Sequence, residues 1–339
     1  MDSKGSGNKN LGRSGENPKN LRRKDMVNSR FRFHLSHPNF KKNGGHKYVC
    51  KKTLLIPFAI ALAFVLTATA ANAPKLTFKF TKVTIPGATS TSPGGISNAG
   101  VIIGIYVDTS GAVHGFILNG KKVTTLTHPA SSNTGAYHIA ANGKVRVVGA
   151  YYPNSGGVMG FLYEGGKYTD IPGPKGSIGS VAQGINDNGD IVGQFADTKG
   201  THGFLLSKGK YTTLDVPGNF GGTVATGIND KGFVVVYWGD TKFSIESSIY
   251  NPKTKKFKKI NVPGASLTAA WDINNAGDVV YEWIDSAGAE HGALLHGGHY
   301  YKFDYPKSAG TQAVGINDKG MIVGGYSNGV SFLGYKASY

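Results

Sequence analysis

The stretch that decides the reading runs SVAQGIND (180–187), GDIVGQFAD (189–197), HGFLLSKG (202–209) and KYTTLDVPG (210–218). Each piece is short and rich in Val, Ile, Phe, Tyr and Thr. Each is closed off by Gly, Asn, Asp or Pro, as antiparallel strands joined by tight turns are. Asn-Asp-x-Gly is hairpin chemistry: the Gly takes positive φ and the Asx side chain bonds its own backbone. No part of the stretch repeats at the helical period.

The stretch recurs along the chain. The motif G-I-N-D-x-G stands at 95–100 as GISNAG, at 138–143 as HIAANG, at 184–189 as GINDNG, at 227–232 as GINDKG, at 272–277 as DINNAG and at 315–320 as GINDKG. Its isoleucines, Ile96, Ile139, Ile185, Ile228, Ile273 and Ile316, are spaced 43, 46, 43, 45 and 43 residues apart. A second marker, Pro86, Pro129, Pro172, Pro217, Pro263 and Pro306, keeps the same beat at 43, 43, 45, 46 and 43. Two markers in phase establish a repeat. Four short antiparallel strands per unit of this length make a propeller blade.

The ends predict how the ring closes. The last unit, 315–339, stops after its third strand, and FKFTKVTIPG (78–87) reads as a fourth strand with no unit in front of it. Pairing of that strand with 331–335 completes the sixth blade and leaves no open edge. The expected fold is therefore all-β: a six-bladed β-propeller of four-stranded antiparallel blades over 74–339, closed by the N-terminal strand pairing with the last repeat. Small residues on the first strand of each unit (Ala182, Ala225, Ala269, Ala270, Ala313) suit the crowded axis of such a ring.

Composition agrees. The chain has 339 residues with 50 Gly and 14 Pro, and only 17% are charged, which excludes a Glu- and Lys-rich helical bundle. The 40% apolar content is enough for a core. A single cysteine, Cys50, excludes an internal disulfide framework and a Cys-ligated zinc site. The net charge of +17 is concentrated at the front: residues 1–53 carry 14 basic and 3 acidic side chains. They are polar and basic and are expected to lack packed structure, or to reflect a start assigned too early. Residues 54–73 follow, with Lys51-Lys52 before the apolar run LLIPFAIALAFVL and Ala68-Thr69-Ala70 behind it. That is a signal peptide, with an uncleaved membrane anchor as the alternative. After Lys52 the only arginine is Arg146. No clustered Arg is present to read nucleic acid, so no nucleic-acid partner is expected.

With these units in hand, the chain resembles the extracellular HAF-repeat family, whose units read G-I-N-x-x-G-x-I-V-G-x-Y, then His-[Ala/Gly]-Phe, then L-x-x-P-G. The matches are Gly184–Gly193 with His202-Gly203-Phe204 and Leu214 to Gly218, and Gly95–Tyr106 with His114-Gly115-Phe116. The resemblance covers roughly 78–339. It is weakest in the fourth unit, where Val235-Val236-Tyr237 and Ser248-Ile249-Tyr250 depart from the pattern. It implies a secreted or surface protein and no particular reaction.

Several groups of residues are candidates for chemistry. Asp108, Asp197, Asp240 and Asp285 recur in the loops between second and third strands, as a ring of ligand-binding acids or as Asx turns. These loops share a face with the links between blades, the face that by analogy carries the site of a propeller. His114, His202 and His291 open the third strands of alternate units, too far apart to share one ion. The aromatics Tyr106, Tyr152, Phe195, Trp238, Trp283 and Tyr326 close the second strands, as blade-to-blade packing or as a sugar-stacking rim. Two units break the motif: Tyr137-His138 in the second and Trp271-Asp272 in the fifth replace the glycine position. They stand opposite each other in a six-membered ring, as a hydrogen-bonding or proton-handling pair or as drift solvated by channel water.

No nucleophile elbow, phosphate loop or metal motif is present. No cofactor and no metal is expected. The leading function is a secreted or surface-held, monomeric, non-enzymatic binding module for a glycan or another cell-envelope component. The alternatives are a polysaccharide hydrolase or lyase and a purely structural surface protein.

Overall fold

The computed structural model describes residues 75–131, 133–240 and 244–339. The basic segment 1–53 and the apolar segment 54–73, with their expected roles, lie outside the described residues. The described chain forms six four-stranded antiparallel sheets and no helix, the six-bladed propeller expected from the repeat.

Blades 1 to 5 are each built from four consecutive strands, at 88–126, 134–171, 179–213, 223–259 and 267–303. Blade 6 takes three strands from 310–338 and its outermost strand, Lys79–Val83, from the front of the chain. That strand pairs with Gly334 to Ser338, from Val83↔Gly334 to Lys79↔Ser338. The closure is the expected one, but its register lies further along than 331–335. Ser331 belongs to the loop before the last strand, where Asn328 N donates to its carbonyl.

The links between blades explain the proline marker. In Ile85-Pro86-Gly87-Ala88 the Ala88 N–H returns to the Ile85 carbonyl at 3.1 Å, and Gly87 has φ 75°. This is the Pro-Gly type II turn, whose third position demands positive φ. It recurs at Gly218 (φ 80°) and Gly264 (φ 78°), and Lys307 holds the same place at φ 61°.

Cohesion lies between blades. Six apolar clusters each span one pair of neighbouring blades; one joins Val192 of blade 3, with Leu214 and Val216 of the link behind it, to Ala225, Val234 and Tyr250 of blade 4. Within blades, side-chain sizes interlock. Gly104, Gly149 and Gly193 on second strands face Phe116, Phe161 and Phe204 on third strands. A Cβ on Gly193 would lie 2.9 Å from the Phe204 ring and 2.0 Å from the Val181 carbonyl. The V-G and H-G-F parts of the repeat are thus one packing unit.

Each innermost strand also carries a β-bulge just before the motif isoleucine, between Ala182 and Gly184 in blade 3 and between Ala270 and Asp272 in blade 5. The bulge kinks the strand and brings the residue after it to the axis.

Candidate functional site

Six positions meet at the axis: Gly95, His138, Gly184, Gly227, Asp272 and Gly315. The glycines are steric requirements. A Cβ on Gly184 would fall 2.8 Å from the Thr226 carbonyl, one on Gly315 would fall 2.8 Å from the Gly95 Cα, and one on Gly227 would meet the Asp272 Cα at 2.7 Å. Blades 2 and 5 fill the remaining space with side chains. His138 Nε2 lies 3.0 Å from Asp272 Oδ1, and both residues are buried. The pair expected from the broken repeat therefore forms, by direct contact across the axis rather than through channel water.

The surrounding hydrogen bonds define its state. Asp272 also accepts from Ile273 N–H at 2.8 Å and from Ile316 N–H of blade 6 at 2.9 Å. The Ile185 N–H of blade 3 reaches His138 Nδ1 at 3.4 Å, so Nδ1 accepts and Nε2 carries the proton given to Asp272. Both ring nitrogens are hydrogen-bonded within the protein.

Above this pair a shallow funnel opens on the face of the first-to-second strand turns. The motif isoleucines form its collar, and the motif Asn and Asp residues form its rim. The rim is a closed belt of hydrogen bonds. Asn142 N donates to Asp187 Oδ1 (2.9 Å), Asp187 N to Asp230 Oδ1 (2.8 Å), Asp230 N to Asn275 Oδ1 (2.8 Å), Asn275 N to Asp318 Oδ1 (2.9 Å) and Asp318 N to Asn98 Oδ1 (2.9 Å). Asn98 Nδ2 closes the circle on Asn142 Oδ1 at 2.9 Å. The preceding motif Asn has two jobs. Asn186 Oδ1 accepts from Asp190 N within its own turn, and Nδ2 donates to the Asn229 carbonyl of the next blade. Blade 2 has Ala140 and Ala141 here, and Arg146 Nη2 bridges to the Asp187 carbonyl at 2.7 Å instead. The Asx chemistry expected within each turn is present. The belt between turns had no sequence signal beyond the recurrence of Asp.

The other two expected members do not share this funnel. Trp271 is buried at the bulge among Val224, Tyr237, Ala269 and Val314, with Nε1 donating to Glu282 Oε2 at 3.3 Å. Tyr137, also at a bulge, folds back along its own strand, with its hydroxyl 2.8 Å and its ring 2.9 Å from where a Gly135 Cβ would stand.

The acids of the second-to-third loops lie on the opposite face. Asp108 Oδ1 accepts from Ser110 N (2.8 Å) and Ala112 N (2.9 Å), and Asp285 Oδ1 from Ala287 N (2.8 Å) and Ala289 N (2.9 Å). Asp197 Oδ1 accepts from Lys199 N at 2.7 Å and Asp240 Oδ1 from Ser244 N at 2.9 Å. They are Asx turns. Three also clamp the repeat histidines: His114 to Asp108 (2.9 Å), His202 to Asp197 (3.2 Å) and His291 to Asp285 (3.4 Å). Each imidazole stacks on the aromatic of the neighbouring strand, Tyr106, Phe195 or Trp283. Sequence reasoning missed the second carboxylates, Asp215 on His202 (2.8 Å) and Asp304 on His291 (2.9 Å). Their signal was an acid two residues before the marker proline.

Charge follows geometry. Hydrogen bonds from Ser110, then His114, hold Asp108 well below the usual carboxylate range. Burial works against a charged His202, but Asp215 and Asp197 outweigh it and raise its pKa. The second-strand aromatic in blade 2 is Tyr151, which faces Thr134 as Phe195 faces Ser180; Tyr152 lies one residue beyond that position. Tyr151 stacks on His128 at 3.6 Å.

No family model and no curated protein matches this chain. Solved structures do. AofleA from Arthrobotrys oligospora is similar at 11% identity over 78% of this chain and 87% of its own, with a TM-score of 0.50. A fungal lectin from Aleuria aurantia, described as a six-bladed β-propeller with a fucose recognition mode, is 13% identical over 76% and 93% of the two chains, with a TM-score of 0.45. TolB from Acinetobacter baumannii is 14% identical over 73% and 63%, with a TM-score of 0.49. At these identities the likeness concerns the fold. The class defined here is a closed six-bladed propeller with a sealed axis.

Proposed function

We propose that the chain is an exported HAF-repeat protein that acts as a non-enzymatic binding module, and that its axial funnel takes a neutral or amino sugar unit of a glycan. One observation carries this reading: Asp230, Asp318 and the neighbouring amides converge over an apolar isoleucine collar, with buried Asp272 at the floor, while Arg146 and Lys231 reach the rim at the Asp187 and Asn275 carbonyls. Hydroxyl and ammonium donors suit such a rim. Each carboxylate oxygen has two acceptor sites, and the belt uses only part of that capacity. The collar suits the C–H face of a sugar ring laid across a shallow, open mouth.

A glycan array probed with the full chain tests the reading. Binding to neutral or amino glycans that drops at least tenfold in Asp230→Asn/Asp318→Asn supports it. Absence of glycan binding by the wild-type chain overturns it. Export has its own test: the extracytoplasmic protein should begin just after Ala70 or Ala73.

A further inference from the structure

Exposed lysines cluster on the outer strands and hairpins of blades 3 and 4. From Ser247 to Trp271 there are five lysines and no carboxylate. Lys259 pairs with Glu246, but Lys253, Lys255, Lys256 and Lys258 are exposed and make no ion pair among the described residues. Lys256 and Lys258 share one side of the outermost strand of blade 4, Lys256–Lys259, about 6.8 Å apart along it. The neighbouring hairpin of blade 3 adds Lys208 and Lys210, both exposed, and no acid lies between 198 and 214.

A second observation is conformational. Lys208 has φ 50° and Lys255 has φ 55°, in the left-handed region that glycine occupies without cost. Lys208 opens a two-residue turn where blade 2 has Gly165 (φ 58°) and blade 5 has Gly297 (φ 57°), whereas Lys255 closes a longer loop, 252–255, whose end takes the same left-handed backbone. Two adjacent blades thus carry a lysine where the turn itself favours glycine. The turn geometry does not by itself require a charged side chain at either place.

We infer that the outer edge of blades 3 and 4 is a docking surface for a linear anionic polysaccharide, held by Lys208, Lys210, Lys253, Lys255, Lys256 and Lys258. Charge complementarity selects a polyanion. The chemistry of the edge selects among polyanions. It holds lysine point charges and no arginine, and its aromatics Tyr211 and Phe257 are packed against Phe204 and Tyr250 rather than offered for base stacking. The exposed apolar side chains that a lipid surface would take up, Ile178, Phe220, Val330 and Val145, lie elsewhere. This surface is separate from the funnel and does not depend on it.

The test measures retention of the full chain on immobilised polygalacturonate and dextran sulfate at physiological salt. Neutral dextran, mixed-sequence duplex DNA and phosphatidylserine vesicles serve as competitors. Lys253→Gln/Lys256→Gln/Lys258→Gln should weaken binding at least tenfold and flatten its salt dependence. A control with equal charge change, Lys79→Gln/Lys82→Gln/Lys122→Gln, should change it less than twofold. Lys208→Gly/Lys255→Gly should weaken binding while leaving the melting temperature equal or higher. Asp230→Asn/Asp318→Asn should leave polyanion binding intact, which separates failure of this surface from failure of the funnel. No retention by the wild-type chain, equal loss in the control, a fall in melting temperature in the glycine variant, or tighter binding to DNA or vesicles would each overturn the inference.

Discussion

Asp272 is 2% exposed and accepts three hydrogen bonds, from His138, Ile273 and Ile316, which belong to blades 2, 5 and 6. A lone buried carboxylate is costly, and one with three donors is tolerated because each donor would otherwise be unpaired. Asp272→Ala should therefore lower unfolding stability by about 3 kcal/mol, with Asp272→Asn losing clearly less because one acceptor remains; urea unfolding reads both. The histidines on the opposite face set a pH dependence. His202 has a raised pKa, so the stability it contributes is fully present below its unfolded pKa and is lost as pH rises through the folded value. His128 is the reverse: burial lowers its pKa against a weaker pull from Asp170, so stability falls as pH drops below the unfolded value. Denaturant unfolding at pH 5.5 and pH 8 should show His202→Gln costing more at the acid pH. A larger cost at pH 8 would contradict the assignment.

At the scale of elements, the departures from the repeat turn out to be compensated. Where blades 1, 2 and 3 pair a second-strand Gly with a third-strand Phe, blade 5 pairs Tyr281 with Ala293: the large and small partners have changed strands. Both Tyr281 and Ala293 are fully buried. Tyr281→Gly should cost about 3–5 kcal/mol as a cavity, and Ala293→Phe should cost about 1–3 kcal/mol by overpacking. The double variant should recover at least 1 kcal/mol of their sum, read as a double-mutant coupling energy. The exchange was hidden in the sequence because one-strand motifs show each residue without its cross-strand neighbour. Turn chemistry was legible for the opposite reason. Asn186 bonds Asp190 N four residues on, inside the motif that announced it. Asp187 was not legible, because its partners, Asn142 and Asp230, sit in adjacent repeats. The facing of blades 2 and 5 followed from counting alone, which is how His138 and Asp272 could be matched. Tyr137 and Trp271 could not be placed with them, because a bulge turns each away from its sequence neighbour.

For the whole molecule, fold and closure were readable from two periodic markers and one orphan strand. The register of closure was not, because nothing in 331–339 says which residues the loop consumes. The closing strand packs Phe80 near Tyr335 and Tyr305, with ring centroids 5.4 Å from each. Deleting 79–83 should expose the Phe332–Ser338 edge, lower the melting temperature and produce concentration-dependent association, seen by light scattering; a monomer of unchanged stability would argue that the strand is dispensable.

That same seam orders events in time. Synthesis delivers Val83 long before Gly334, so blades 1 to 5 can assemble from local neighbours while the earliest segment waits for the latest. Until the two ends meet, the nascent array is a curved ribbon with two sticky margins, and a second ribbon can satisfy them as well as its own tail can. Dilution and slow chain release should therefore favour the monomeric ring, and crowding of unfinished chains should favour exchanged partners.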